Sequence, residues 1–338
     1  MRRTLGYALV CLGVLALALA PLLRWYAYPR IAVVDDTVAE SGENVVTLTS
    51  EGEDVTVLDI ALVTAGEAEA TRVTTVTSER TVRPDRAAGT DDVAVWDSRV
   101  STTDAEGSEL SGSTERIAFD RRTSELVDGF EQYYQPTGSA AEPVAVERTG
   151  YYLRFPFDTQ KVDHDVWDAT LQDSHPATFE GEEEIGGLRV YRFAQEVEAT
   201  EVAEVQVPGR LVGASEPAVA AQRMYATTRT FWVEPATGAI VRARDEPDVY
   251  LDYQGQRGPT VLQGTLEYTD DTVAANVDRY EPRARTLTLV HTVGPIAGVV
   301  FGLVSVGVAA VLLRPRRRYV PRRAAGAQGE GPAIDPDR

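Results

Sequence analysis

The chain has 338 residues, of which 33 are basic and 52 acidic, so its formal net charge at pH 7 is −19. This acidic excess argues against nucleic acid as a partner, because the protein surface and the phosphate backbone would repel each other. The only cysteine is Cys11, which excludes a disulfide framework within the chain.

An uncharged apolar stretch follows the first three residues. Arg2 and Arg3 precede residues 4–23, which contain no charge, and Trp25 lies just beyond them. A basic start and an aromatic end are typical of a membrane-spanning helix that begins in the cytoplasm. A cleaved signal peptide is the alternative, but the apolar run is longer than a usual signal core. We therefore predict a cytoplasmic segment at residues 1–3 and a membrane helix at residues 4–23.

The long middle region, residues 24–289, has the pattern of a β-rich domain. Its short runs of β-branched residues are bounded by Gly, Asp, Ser or Pro, which is typical of strands. These runs are residues 45–49, 55–58, 72–77, 93–96 and 116–119. No stretch shows a sustained 3.6-residue apolar period, and only short helices are expected near residues 126–134 or 165–171. The predicted fold class is mainly β, a β-rich α+β domain flanked by terminal membrane helices.

An internal similarity suggests two related parts. Residues 114–127 align without gaps on residues 228–241, and in both the pattern is a strand, a tight turn and a returning strand. We predict two related β lobes, at about residues 31–150 and 151–289. The alternative is that two ordinary hairpins resemble each other by chance.

The densest group of large apolar side chains begins the second predicted lobe. It contains Tyr151, Leu153, Phe155, Phe157, Trp167, Phe179, Tyr191 and Phe193. Alternate residues of an extended segment share a face, so Leu153, Phe155 and Phe157 give one face unusual bulk. Such a face suits an apolar groove or interior that binds acyl chains, and these eight residues are the candidate ligand-binding set. The alternative is that they fill the core of a β lobe.

Histidines and acidic residues form no recognisable catalytic or metal motif. His164 and His175 lie near aspartates, but no His-x-x-x-His, cysteine pair or nucleophile elbow accompanies them. In so acidic a chain such neighbours are expected by chance, and a solvated loop is predicted around His164. The acidic pairs at residues 91–92 and 270–271 leave calcium binding open, although their spacing is not that of an EF-hand. We predict no catalytic residue, no metal site and no cofactor, hence a protein that is not an enzyme.

A second apolar stretch lies at residues 290–313, where His291, Thr292 and Ser305 are the only polar members. At 1.5 Å per residue it is about 36 Å long, which exceeds the roughly 30 Å of a hydrocarbon core. Six arginines follow it, and a cationic segment is retained on the cytoplasmic side. We predict a membrane helix at residues 290–313, then a cytoplasmic tail at residues 314–338 that is first basic and then disordered.

The two predicted helices define a topology. If both termini are cytoplasmic, residues 24–289 lie on the extracytoplasmic side, and this region carries 24 basic and 49 acidic residues, net −25. The predicted localisation is therefore the plasma membrane, crossed twice, with one large external domain.

Four blocks of sequence together resemble a known family. They are GYYLRFPFDTQK at residues 150–161, WD at 167–168, FEGEEEIGGLRVYRF at 179–193 and TFWVEPATG at 230–238. With both apolar stretches, they resemble the actinobacterial porin PorA family over nearly the whole chain. The family name implies a channel, and some members are linked to lipid and lipoglycan traffic in the mycolate-type envelope. The resemblance implies no catalytic residues.

Three functions follow from these patterns. A β-barrel pore is the least favoured, because it needs strands with a lipid-facing apolar side and no long apolar helices. The favoured hypothesis is a protein that binds or transfers membrane lipid or lipoglycan through the apolar interior of its external domain. The alternative is a scaffold that docks envelope biosynthesis proteins. A continuous cavity would favour the lipid carrier, and a filled core with an exposed apolar patch would favour the scaffold.

Overall fold

The computed structural model describes residues 2–34, 45–67, 69–137 and 142–314. The predicted disordered tail lies outside these residues, and so do all but the first of the arginines that follow residue 313. Two compact units are present. Among the described residues, one unit contains 2–20 and 296–314, and the other contains those from 21 to 295.

The described residues contain five α-helices. They are α1 (Arg2–Leu22), α2 (Tyr28–Ile31), α3 (Ile60–Ala65), α4 (Asp270–Thr288) and α5 (Gly294–Leu313). Single π-helical turns join α1 to α2 and α4 to α5, so that Arg2–Ile31 and Asp270–Leu313 are each continuous. Both are long and apolar enough to cross a membrane, which confirms the two predicted apolar helices. Each extends beyond its predicted range toward the middle region.

In the first unit, α1 and α5 approach each other closely. A Cβ atom added to Gly13 would lie 2.9 Å from the carbonyl oxygen of Gly302, and one on Gly302 would lie 2.9 Å from that of Gly13. A Cβ atom added to Gly298 would likewise lie 3.4 Å from the Cβ of Ala20. Small residues therefore let the two apolar helices pack with their backbones nearly in contact.

The second unit is built on strands. These are β1 (Val46–Leu58), β2 (Thr71–Pro84), β3 (Val93–Asp104), β4 (Glu109–Asp120), β5 (Tyr133–Pro136), β6 (Val144–Ala145), β7 (His164–Asp168), β8 (Asp173–Ile185), β9 (Leu188–Pro208), β10 (Ala218–Glu234), β11 (Ala239–Tyr253), β12 (Gln256–Gln263) and β13 (Leu266–Tyr268). They form one antiparallel sheet in the order β6-β5-β4-β3-β2-β1-β12-β11-β10-β9-β8-β7, and β13 pairs with β1 and β11. The predicted mainly β fold class is confirmed.

Backbone contacts connect the two ends of this strand order. Leu126 bridges Phe119 of β4, and its amide donates to the carbonyl of Gly150 at 2.9 Å. The next residue, Tyr151, forms a parallel bridge with Val166 of β7. Since β4 lies near one end of the order and β7 is at the other, these contacts close the sheet into a barrel-like wall with a distinct interior.

The strands are longer than predicted, because a strand can continue past polar residues where a β-bulge shifts its register. The runs at residues 45–49 and 55–58 belong to the single strand β1, whose register shifts between Gly52 and Val55. Asp54 takes a positive φ of 54° at this bulge. The prediction of short helices near residues 126–134 and 165–171 is wrong, because these segments contain parts of β5 and β7.

Helix α4 is the longest helix that the sequence did not predict. Thr269 caps its first turn through Thr272, whose hydroxyl also accepts from the amide of Thr49 in β1 at 3.1 Å. Asn276 donates to the carbonyl of Val241 in β11 at 3.1 Å. Because two of the buried residues that fasten the helix to the sheet are polar, the apolar period of α4 is weak.

Strands from both predicted lobes form the one sheet, where β1 pairs with β12. The two similar segments nevertheless make turns of one kind. The carboxylates of Asp120 and Glu234 each accept from two backbone amides that follow them, and each carbonyl accepts from a residue four positions later. Those residues, Ser124 and Gly238, have φ values of 66° and 72°.

Candidate functional site

The inner face of the sheet and one side of α4 line a cavity of about 1190 Å³. This volume exceeds the roughly 300–1,000 Å³ of most small-molecule sites. Much of the wall is aliphatic, because alternate residues of a strand point to the same side. Aliphatic lining residues include Leu48, Val82, Val100, Leu110, Val202, Val249 and Leu262. The cavity can therefore shield a large apolar ligand from water.

Three of the eight predicted ligand-binding residues line this cavity. They are Leu153, Phe157 and Trp167. Leu153 and Phe157 belong to the segment between Gly150 and β7, and Trp167 lies in β7. All three also pack against a core cluster that includes Ile117 and Phe119 of β4. This part of the predicted set is thus placed where a ligand can reach it.

The other five residues do not line the cavity and pack against one another beside it. The rings of Phe155 and Phe193 stack with centroids 5.0 Å apart, and those of Phe179 and Tyr191 meet edge to face at 5.6 Å. Tyr151 stacks on Phe155 at 6.4 Å. Phe155 and Phe193 are fully buried. These contacts match the filled core that the sequence left open as the alternative.

A first buried ionic network lies in the cavity wall. One carboxylate oxygen of Glu115 accepts from Arg80 at 3.1 Å and from the hydroxyl of Tyr152 at 2.9 Å, and the other faces Arg148 at 3.2 Å. Burial, opposed by the charge of Arg80, raises the pKa of Tyr152 above its usual value. Tyr152 therefore stays neutral and donates to the carboxylate.

A second network lies on β7, β10 and β11. Asp168 accepts from Arg229 at 2.7 Å and from the hydroxyl of Tyr225 at 2.9 Å, and Arg229 also contacts Asp245 at 3.3 Å. Burial alone would raise the pKa of Asp168, but the charge of Arg229 and hydrogen bonds from Tyr225 and two backbone amides lower it on balance. Buried arginines in both networks are thus paired with carboxylates.

Four other arginines line the cavity without such pairing. They are Arg154, Arg223, Arg279 and Arg283. Within the described residues, none of the four forms an ion pair with a carboxylate. Burial lowers the pKa of Arg223, and burial and the nearby charge of Arg283 lower the pKa of Arg154 to about 10, opposed by Tyr280. The interior therefore combines an aliphatic lining with uncompensated positive charge.

The histidines do not form a reactive group. His164 is buried, not in a solvated loop as predicted, and its ring lies edge-on to Phe155 and Phe193 at 5.5 and 5.4 Å. Its Nε2 lies 3.1 Å from the carbonyl oxygen of Gln160. Across the described ranges no group of three His, Cys, Asp or Glu side chains is placed to hold a metal ion. Asp270 and Asp271 form the first turn of α4.

The fold and the cavity define a class: a protein with two apolar helices near its ends and a β-rich domain that contains a large cavity. Within that class, the chain belongs to the Porin PorA family, whose sequence profile matches residues 5–311. This confirms the resemblance of the four sequence blocks. A porin family is in keeping with a membrane or envelope protein.

Two relatives come from corynebacteria. The chain is 23% identical over 385 residues to a protein of Corynebacterium amycolatum named Porin PorA, covering 90% of this chain and 97% of the relative. It is 23% identical over 281 residues to a Porin PorA of Corynebacterium resistens, covering 62% of this chain and 68% of the relative.

Sequence reasoning missed the cationic part of the cavity. Arg154 lies inside the block GYYLRFPFDTQK, where the aromatic side chains around it give the stronger sequence signal. Arg279 and Arg283 lie on α4, which was not recognised as a helix. Their spacing of four residues would place them on one face of any helix, and this is the signal that could have found them.

Proposed function

We propose that this protein binds a membrane lipid or lipoglycan by enclosing its acyl chains in the cavity of the β domain. The continuous cavity of about 1190 Å³ carries this proposal. Its aliphatic lining supplies the favourable transfer of apolar surface from water, about 25 cal/mol per Å². Transfer of the lipid between the membrane and the cell wall is the role that such binding would serve.

The cavity supports the lipid carrier over the scaffold, the alternative that the sequence analysis named. A scaffold for envelope biosynthesis proteins was linked to a filled core, and a lipid carrier to a continuous apolar space. Phe155 and its neighbours do form a filled core, but it occupies only one part of the domain. The large aliphatic space beside it supports the carrier.

A pore is the second candidate, because the relatives carry the name Porin PorA. The outer face of the sheet argues for an aqueous environment. Glu196 and Glu198 are exposed on the face of β9 opposite the buried side chains of Phe193, Gln195 and Val197. The lipid-facing band of a membrane barrel is apolar. Conductance of the purified full chain in a planar bilayer tests the pore directly. Stable unitary currents would favour the pore and overturn the carrier proposal.

We place the β domain on the extracytoplasmic side of the plasma membrane, with both termini in the cytoplasm. The basic residues that flank the two apolar helices support this topology. The test uses Cys11→Ala as background, with a single cysteine at exposed Glu196 or at Ala327 in the tail. A membrane-impermeant maleimide should label intact cells at position 196 and should label position 327 only after lysis. The reverse pattern would contradict the topology.

The binding proposal is tested by native mass spectrometry and lipid extraction on the full chain, purified in detergent from its natural host. Val100 lines the cavity, and its neighbour Arg99 is exposed on the other face of β3. Val100→Trp should therefore fill part of the cavity and lower lipid occupancy, whereas Arg99→Trp should retain it. Folded wild-type protein that carries no lipid and takes up none from host lipid extract would overturn the proposal.

A further inference from the structure

Arg154 is held in the cavity wall with part of its hydrogen-bonding capacity unused. Its Nη2 donates to the carbonyl of Thr237, and its guanidinium lies over the ring of Phe157 with 4.4 Å to the centroid. Its Nε is shielded from solvent and has no hydrogen-bond partner. A shielded donor without a partner costs free energy, so the chain itself does not fully satisfy this guanidinium.

A second cation stands beside it. Arg283 of α4 donates through Nη2 to the carbonyls of Ile31 and Val33, which end the first apolar helix and begin the chain beyond it. Its charge acts on Arg154, whose pKa of about 10 still leaves it protonated at neutral pH. Two like charges thus share one region of the wall, and no described carboxylate is paired with either. An anion is the missing counter-charge.

Arg154 and Arg283 differ from two other arginines of the cavity wall in having no carboxylate partner among the described residues. Arg80 and Arg229 also line the cavity, but Glu115 and Asp168 neutralise them. The arginines that link strands of the cavity wall are therefore paired with carboxylates of the chain itself. Near Arg154 it supplies carbonyl oxygens and a phenyl ring, which orient a guanidinium and leave its charge available.

We propose that Arg154 and Arg283 bind the phosphate group of an amphiphile whose acyl chains occupy the aliphatic part of the cavity. This inference rests on the proposed lipid-binding function. Phosphate oxygens suit guanidinium groups because the planar donors can engage two oxygens at once. Leu153, Phe231 and Ile240 line the same cavity. A phosphorylated headgroup and its chains can thus be bound together.

The experiment compares two lipids that differ only in the headgroup. The delipidated full chain in detergent is titrated with dioleoyl phosphatidylglycerol or with dioleoylglycerol, and bound lipid is counted by native mass spectrometry. The wild type should bind the phospholipid at least about tenfold more tightly, as expected for a charge-assisted hydrogen bond. Arg154→Gln should remove this preference, so that the variant binds the two lipids equally. Arg99→Gln removes a positive charge from the outer face and should change neither affinity.

Each result has a separate meaning. Equal binding of both lipids by the wild type, or an unchanged preference in Arg154→Gln and Arg283→Gln, would overturn the phosphate site and leave lipid binding intact. Failure of the wild type to bind either lipid would overturn the proposed function itself. Inorganic phosphate serves as the third probe. If it raises the unfolding temperature as much as phosphatidylglycerol does, the ligand is the free ion and the proposal fails.

Discussion

The carboxylate of Glu115 and the guanidinium of Arg148 form an ion pair from which water is excluded on both sides. Their atoms are 3.2 Å apart, and the side chains are 0% and 1% exposed. Glu115 also pairs with Arg80 in the cavity wall, so one carboxylate balances two arginines. An interior pair of this kind adds little net stability, but the loss of one partner is costly.

Glu115→Gln should therefore destabilise the β domain by about 3–5 kcal/mol, because two buried arginines lose their counter-charge. The measurement is the free energy of urea-induced unfolding, followed by tryptophan fluorescence. Glu109→Gln is the control, since Glu109 is exposed on the same strand and should change stability by less than about 0.5 kcal/mol. Similar losses in both variants would show that the buried pair has no special role.

Asp168→Asn should reduce stability in a way that depends on pH. The pKa of Asp168 in the folded state lies below its usual value, so its ionised form stabilises the fold above about pH 4. That stabilisation is lost as the pH falls through the folded-state pKa. At pH 7 we expect a loss of about 1–3 kcal/mol, shrinking below about pH 4. Asp165→Asn, on the exposed face of β7, is the control. A difference that is constant with pH contradicts the prediction.

Arg154→Met should stabilise the lipid-free protein. Burial and the charge of Arg283 lower the pKa of Arg154, so the folded state disfavours its charge at neutral pH. Removal of that charge should increase the unfolding free energy by about 1 kcal/mol. With saturating phosphatidylglycerol the order should reverse, because only the wild type gains the contact with phosphate. Thermal unfolding with and without the lipid measures both effects, and a destabilised lipid-free variant would refute them.

Gly302→Leu should separate the two apolar helices. A side chain at Gly302 collides with Leu17 and with the backbone of Gly13, whereas one at Gly307 has no atom within 4 Å. The readout is a disulfide between Ala20→Cys and Gly298→Cys in a Cys11→Ala background. A Cβ atom on Gly298 would lie 3.4 Å from the Cβ of Ala20, which is close to the Cβ–Cβ distance of a disulfide. Gly302→Leu should abolish this cross-link and Gly307→Leu should leave it. Equal yields in the two variants would argue against the helix contact.

Local patterns were enough to predict the terminal helices, the β-rich class and the paired turns. Hydrophobic runs and turn residues act over a few positions, so their signal survives in a single sequence. The similarity of residues 114–127 and 228–241 even aligns Glu115 with Arg229, one from each buried network. The opposite charges at these equivalent positions indicate that the two segments have diverged in their interior contacts.

The cavity could not be predicted in the same way. Phe155 and Leu153 are two positions apart and belong to one aromatic block, but one is in the packed core and the other lines the cavity. Their environments depend on strands that are distant in sequence and on α4, whose polar buried residues hide its period. Which arginines lack a carboxylate is likewise a property of the closed sheet, because ion pairs such as Arg229 and Asp168 join separate strands.

The position of β1 in the sheet has a consequence for how the chain reaches its native state. This early strand pairs with β2 on one side and waits for β12 and β13 on the other, about two hundred positions later. During synthesis its second edge therefore stays open, a surface on which other chains can pair. We expect this pairing to form late, and the open edge to expose the unfinished protein to aggregation until it does.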